Sequence, residues 1–106
     1  MPNAKREIVF SPEAKADLIE IYDYIALASN AVRAMGFIGR IERTCHSLSN
    51  FPQRGTLRDD VRPGLRVVGF ERRVSIAFAI GRRRVTILRV LYGGRDLNRA
   101  LSKSKS

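Results

Sequence analysis

The sequence predicts an α+β domain of order β-αα-βββ: an N-terminal strand joining a small, mainly antiparallel sheet packed on a helical hairpin, with a short C-terminal helix. Three observations predict it. Apolar residues recur at helical spacing through the first half of the chain and at alternate positions through the second, and a long arginine-rich loop separates the halves. Runs of helix followed by runs of strand are the mark of α+β rather than α/β organisation. A chain of 106 residues holds one modest core and not two. Residues 1–101 are therefore expected to form a single domain and 102–106 a polar tail.

Glu7 to Phe10 is the first strand. Ser11-Pro12-Glu13 then starts a helix: Ser caps, Pro occupies the first helical position, and Glu complements the positive end of the dipole. Ala14, Leu18, Ile21, Tyr22 and Ile25 form its apolar stripe to about Ala28, with Asp17, Glu20 and Asp23 facing elsewhere. Ser29-Asn30 breaks and recaps the chain. A second helix from Ala31 to about Ser49 carries the stripe Ala34, Phe37, Ile38, Ile41, Cys45 and Leu48. Gly36 and Gly39 each lower helicity by about 1 kcal/mol, which suggests close approach of the first helix. So short a connection makes the two helices antiparallel neighbours.

The strands follow: Leu65 to Gly69, then Val74 to Ile80 with period two, then Val85 to Tyr92 after the turn Gly81-Arg82-Arg83. The last is apolar on both faces except at Thr86 and Arg89, which predicts a central strand. The hairpin should cover one sheet face and leave the other, with Arg89 and Tyr92 nearby, for something else. Gly93-Gly94 stops the strand, and Arg95 to Leu101 supplies the terminal helix.

Lys and Arg number 20 against 10 Asp and Glu, a formal net charge of +10. So large a surplus favours an anionic partner: nucleic acid, an acidic protein or an anionic membrane surface. One Cys excludes an intrachain disulfide. No apolar run approaches the roughly 18 residues of a membrane span, and Met1 to Glu7 lacks an apolar signal core, so a cytoplasmic, membrane-free protein is expected. Phe51 to Arg66 holds Arg54, Arg58, Arg62 and Arg66 with two Pro and two Gly, anchored by Phe51, Leu57, Val61 and Leu65. An ordered loop of that length is usually functional.

Three segments carry a resemblance. They are Ser11-Pro12-Glu13-Ala14 through Asp17-Leu18 to Ile21-Tyr22-Asp23-Tyr24-Ile25; Phe51-Pro52-Gln53-Arg54-Gly55 through Arg58-Asp59-Asp60 to Arg62-Pro63-Gly64-Leu65-Arg66; and Ile87 to Leu97. In content and order they resemble the ParE branch of the RelE/ParE toxins of bacterial type II toxin–antitoxin pairs, over about Ile8 to Leu97. The resemblance implies the same β-αα-βββ fold. It also implies a ParD-like antitoxin with a ribbon-helix-helix DNA-binding part and a C-terminal segment that wraps the toxin, so that operator DNA is reached only through the antitoxin. Of the two activities on this fold, ParE toxins generally poison DNA gyrase and RelE toxins cleave messenger RNA on the ribosome. Fold alone does not choose between them.

The chemistry leans away from an enzyme. A metal-free ribonuclease needs a base for the 2′-hydroxyl, an acid for the leaving oxygen and cations for the phosphorane. Cations abound. RelE-like nucleases tend to place a Tyr or His in the C-terminal part, whereas Arg95 to Leu101 has neither. Tyr92 fits a structural aromatic better than an acid. Cys45 and His46 are sequence neighbours on one helix and cannot face each other as a nucleophilic pair. Two soft ligands do not make a zinc site. Asp59-Asp60, flanked by Arg58 and Arg62, fits local ion pairs or a turn. Arg82-Arg83-Arg84 is either a solvated hairpin tip or a phosphate contact.

The expectation is thus a toxin that inhibits DNA gyrase by binding, with no catalytic residue, metal or cofactor; the alternative is a RelE-like ribosome-dependent mRNA endoribonuclease. A direct nucleic-acid-binding module is weakened because most aromatics lie on apolar stripes rather than among the basic residues. Target-binding candidates are Arg58, Arg62, Arg66, Arg89, Tyr92 and Arg95; antitoxin-binding candidates are Tyr22, Tyr24 and Arg89. Asp96 is expected beside Arg95, and the last strand's end is expected close to the arginine-rich loop.

Overall fold

A computed structural model describes residues 5–94 and 97–102. Strand β1 (Glu7–Phe10), helices α1 (Pro12–Ala28) and α2 (Ala31–Ser47), strands β2 (Thr56–Leu57), β3 (Leu65–Phe70), β4 (Val74–Ile80) and β5 (Arg84–Tyr92), and helix α3 (Leu97–Ser102) follow one another. The predicted element order holds. The sequence missed only β2, a two-residue strand inside the arginine-rich loop. The sheet runs β1-β5-β4-β3-β2, antiparallel except for the parallel β1–β5 pair. β5 is interior, as its apolar character demands, but the central place belongs to β4. The segment expected as a tail contributes Ser102 to α3, and 103–106 lie outside the described residues.

The caps form as predicted. The Ser11 hydroxyl accepts from the Ala14 N–H (3.0 Å) and donates to the Leu88 carbonyl (2.9 Å), so one side chain caps α1 and ties it to β5. Asn30 caps α2 by accepting from the Arg33 N–H (2.9 Å). Between hairpin and sheet, Ala14, Ile21, Phe37, Ile41, Cys45 and Leu48 meet Val74, Ile76, Phe78, Val85, Ile87 and Val90. Gly36 and Gly39 do not serve close helix approach. A methyl added at either would meet only the flexible end of Arg40 or Arg43 on its own helix.

The second sheet face is partly covered. Leu65, Ala77 and Leu101 cluster there with Val61, Leu88, Leu97 and Ala100, so α3 and the loop shield ground expected to be open.

Asp17 corrects the sequence reading most sharply. It was expected to face away from the core, yet it is 4% exposed. Its carboxylate receives two hydrogen bonds from Arg89 (2.8 and 2.9 Å) and one from the Val90 N–H (2.8 Å). The reason lies in the sheet. β1 pairs with β5 only as far as Phe10 opposite Ile87, so the β5 edge beyond it has no strand partner. Asp17, one helical turn after Ala14, supplies the missing acceptor. A bulge brings Arg89 to it: Ala77 pairs with Arg89 and Phe78 with Ile87, which leaves Leu88 as the extra residue. Arg89 also donates to the Ala100 carbonyl (3.3 Å), and its hydrogen bonds to Asp17 raise its already high pKa against the opposing effect of burial.

Asp17→Ala is expected to lower unfolding free energy by about 3–5 kcal/mol in urea titration, because it strands a partly buried guanidinium and a buried N–H; a change under about 1 kcal/mol would remove the pair from this role. Cys45, fully buried, has its thiol pushed up to about 12 by burial, with Glu42 adding to it. It should resist thiol reagents at neutral pH until the chain unfolds. Since the unfolded thiol ionises near 9.0 and the folded one does not, stability should fall as pH rises past that value.

Candidate functional site

Two of the concave regions among the described residues bring sequence-selected arginines or tyrosines together, at separate places on the molecule. The first is a groove of about 590 Å³ between the α1–α2 turn and the end of β5, with Tyr24, Val32, Phe37 and Tyr92 in its walls and Arg33, Arg40 and Arg73 around them. Its aromatics form a chain. Tyr24 meets Tyr92 at 5.5 Å, Tyr92 meets Phe37 edge-on at 6.1 Å, and Phe37 meets Phe70 at 5.7 Å. The Arg40 guanidinium lies 5.4 Å from the Phe37 centroid, within cation–π range. Apolar exposure continues from the groove over the helical turn: Leu27 is 87% exposed, Val32 82%, Met35 64% and Tyr24 59%. None of these side chains serves the core, so their cost to solubility needs another use.

The rim is built under strain. The β3–β4 turn holds Glu71 at φ 49° and Arg72 at φ 60°, left-handed values that favour Gly or Asn. It is held by the Arg73 N–H donating to the Phe70 carbonyl (3.1 Å) and the Gly93 N–H donating to the Arg73 carbonyl (2.7 Å). Arg40 grips Glu71 through two hydrogen bonds (2.9 and 3.1 Å), which keep that carboxyl below its usual range.

The second region is a cleft of about 480 Å³ where the loop meets α3, lined by Ser11, Glu13, Arg62, Leu88, Arg89, Ala100 and Leu101. The loop above it is self-strapped. Arg54 donates to the Ser47 hydroxyl (2.7 Å), Arg66 to the Arg54 carbonyl (3.1 Å), and Arg58 twice to Asp60 (2.9 and 2.8 Å). Asp59 accepts from the Gly64 N–H (2.8 Å). The exposed Arg62 side chain makes no ion pair or hydrogen bond among the described residues. No cluster of three or more His, Cys, Asp or Glu side chains suited to a metal occurs among them either, and no helix there is long and apolar enough to cross a membrane.

This framework matches known proteins. Residues 8–97 match the family described as ParE toxin of type II toxin–antitoxin system, parDE. The chain belongs to the ParE toxin family. Toxin ParE3 of Caulobacter vibrioides is 29% identical over 96 residues, which span 91% of this chain and 95% of that protein. The chromosomal ParDE system from P. aeruginosa supplies a solved chain that superposes with a TM-score of 0.75 at 24% identity, over 86% of this chain and 99% of that one, and shows the same fold. A toxin of this family implies an antitoxin partner.

Within this ParE-family toxin the sequence-selected residues separate. Arg62 and Arg89 do come together in the cleft. Arg89 is bound up with Asp17 and Ala100, its side chain only 21% exposed. Arg58 and Arg66 hold the loop. Tyr92 was expected beside the loop on the open face, but it lies on the hairpin side with Tyr24. Tyr22 and Tyr24, two residues apart on a helix, point about 200° apart, and only Tyr24 lines the groove. Arg95 and Asp96 lie outside the described residues. The sequence reading missed Val32, Arg33, Arg40 and Arg73. One signal pointed to Val32, an apolar side chain off the helical stripe; nothing in the sequence singled out the three arginines.

Gly55 fixes how the loop sits on β3. Its φ is 75°, and a Cβ there would overlap the Val67 carbonyl oxygen of the backbone. Gly55→Ala should lower Tm by at least about 4 °C, since a left-handed non-glycine alone costs about 1–2 kcal/mol. It should also open the loop to proteolysis. An unchanged melt would show the loop is not pinned at this point.

Proposed function

We propose that this ParE-family toxin inhibits DNA gyrase by binding it in the cytoplasm, and that a ribbon-helix-helix antitoxin neutralises it by laying an acidic amphipathic segment into the Tyr24–Tyr92 groove. The observation that carries the reading is the groove itself. Its aromatic walls and apolar lip continue across Leu27 and Met35, and arginines ring it. That combination suits an amphipathic helix with carboxylates along its flanks. Antitoxin capture at Tyr24 and Tyr92 leaves the cleft and the exposed Arg62 for the target, with Arg58 and Arg66 positioning the loop and Arg95 two residues before α3 in sequence. Tyr22 and Arg89 then support α1 and β5 from behind.

Binding rather than turnover is supported by the state of Arg89. Its guanidinium is committed to Asp17, so it is not poised to stabilise a phosphorane. One observation favours the ribonuclease alternative: Tyr92 shares its groove with three arginines, the pairing of a phenol with cations that RNA cleavage would need.

Val32→Asp should weaken antitoxin binding by about 30-fold or more, as for an interface anchor, while toxicity without antitoxin persists. Arg62→Ala should do the reverse. Tyr92→Phe separates the two activities. A gyrase-binding toxin should tolerate loss of the hydroxyl, whereas an enzyme using that proton should slow by about 10²–10⁴-fold. Supercoiling inhibition by purified toxin, scored against cleavage of ribosome-bound mRNA, decides; mRNA cleavage with intact supercoiling, lost in Tyr92→Phe, would replace the reading.

A further inference from the structure

The end of the sheet opposite the Tyr92 groove carries a charge cluster that neither the antitoxin groove nor the loop cleft uses. The β4–β5 turn presents Arg82, Arg83 and Arg84, all exposed. The residues leading into β1 bring two more cations to the same tip. Glu7 pairs with Arg84 across the parallel strands, and the Glu7 N–H donates to the Arg83 carbonyl (2.9 Å). Lys5 and Arg6 therefore lie beside the turn, though about 75 residues away in sequence. Arg6 is fastened there: its Nε donates to the Gly81 carbonyl (2.9 Å), and its backbone is tied to Ser49 through the Ser49 carbonyl (3.2 Å) and hydroxyl (2.7 Å). Among the described residues the one carboxylate at this tip is Glu7, at 4.0 Å from Arg84 and largely exposed.

Five cations against one acid, gathered from two remote segments one strand spacing apart (about 4.8 Å), repel one another. Solubility alone would be served by dispersing them. The tip also lacks what a protein interface needs, because no large apolar side chain is exposed among residues 5–7 and 81–84. With no aromatic among those residues, a single strand gains no stacking from the tip itself. What remains is charge density, and duplex DNA offers the most, one phosphate charge per about 1.7 Å of axis.

We propose that this tip is a phosphate-backbone contact for duplex DNA, sequence-independent and made by the toxin itself. It is a second binding surface, distinct from the groove and the cleft. It departs from the expectation that DNA is reached only through the antitoxin, and it places the free toxin on the polymer on which a gyrase would be working.

The test is fluorescence anisotropy of the purified full-length chain on a labelled duplex across a salt series. Arg82→Ala/Arg83→Ala is compared with the charge-matched Arg43→Ala/Arg99→Ala on the exposed sides of α2 and α3, with thermal melts to confirm folding. Each phosphate contact contributes about 0.9 to the slope of log K against log salt. The tip variant should therefore lose about 1–2 units of slope and bind several-fold to tens-fold more weakly at low salt. The Arg43/Arg99 variant should keep the slope of the parent. Equal losses in both variants would assign binding to general surface charge and overturn the proposal, as would no loss in the tip variant. Tighter binding to single-stranded DNA or RNA of equal length, lost on Phe51→Ala two residues beyond Ser49, would overturn it in favour of a stacking platform.

Discussion

The parallel β1–β5 pair is too short for the strand it supports, and the rest of the structure depends on how that shortfall is met. Beyond Phe10, β5 has an orphan edge. Asp17 accepts from Val90 there and holds Arg89 in the same carboxylate. Three elements are fixed by this one side chain: α1 against the sheet, the bulge at Leu88, and, through the Arg89 bond to Ala100, the seat of α3. A buried ion pair is rarely a net source of stability compared with apolar packing of the same volume. Its contribution here is register, because an apolar residue at position 17 would leave the Val90 N–H without an acceptor. The bulge it supports has a further effect. It inverts the alternation of β5, so that Val90 and Tyr92 share the hairpin side with Val85 and Ile87. The aromatic groove exists because Tyr92 is turned to that side.

How much of this was legible in the sequence follows from the range of the interactions involved. Helix bounds, caps and stripes are local. Ser11, Pro12 and Asn30 announce their elements, and α1 ends at Ala28 where the pattern stops. Asp17 was misjudged because its own polarity argued for solvent. The need for it arises from a strand end 73 positions away in the Val90 bond. Yet a lone Arg in an apolar strand already called for an acidic partner. Tyr92 was misplaced for a similar reason: strict alternation assigns it to the face of Leu88, and only the register slip between Ala77 and Phe78 moves it. Of the site, the loop arginines and Tyr24 were visible from composition. Arg40 and Arg73 were not, since they matter only once the β3–β4 turn is folded against α2.

Charge is unevenly laid out, and that constrains how anything can approach. α1 carries Glu13, Asp17, Glu20 and Asp23 against Lys15 alone, so it is acidic within a strongly basic chain. Its outer flank, with Glu13, Glu20, Asp23 and the exposed Ile19, forms a shallow depression beside Arg89. The basic groups lie at the two ends of the sheet and along the loop. An acidic partner is attracted to those places and repelled from the α1 flank, so encounter is oriented before contact. The groove adds apolar walls to this field and can hold a folded segment, whereas the β4–β5 tip offers field alone.

The strained turn explains why groove and tip differ in kind. Glu71 and Arg72 hold left-handed backbone that a Gly or Asn would adopt more easily, and such strain persists only where the surroundings over-determine it. They do so here through Arg40, Phe70 and Gly93. The result is that the Arg40 guanidinium is held beside Phe37 and the Arg73 backbone is fixed at the groove's rim, which lowers the entropy lost when a partner pairs with Arg40. Among the described residues the tip arginines have only the Arg6–Gly81 bond and the exposed, 4.0 Å Glu7–Arg84 pair to hold them. Fixed cations beside aromatic rings favour one partner in one orientation. Exposed cations on a hairpin end suit a uniform polyanion, where register along the polymer is of no consequence.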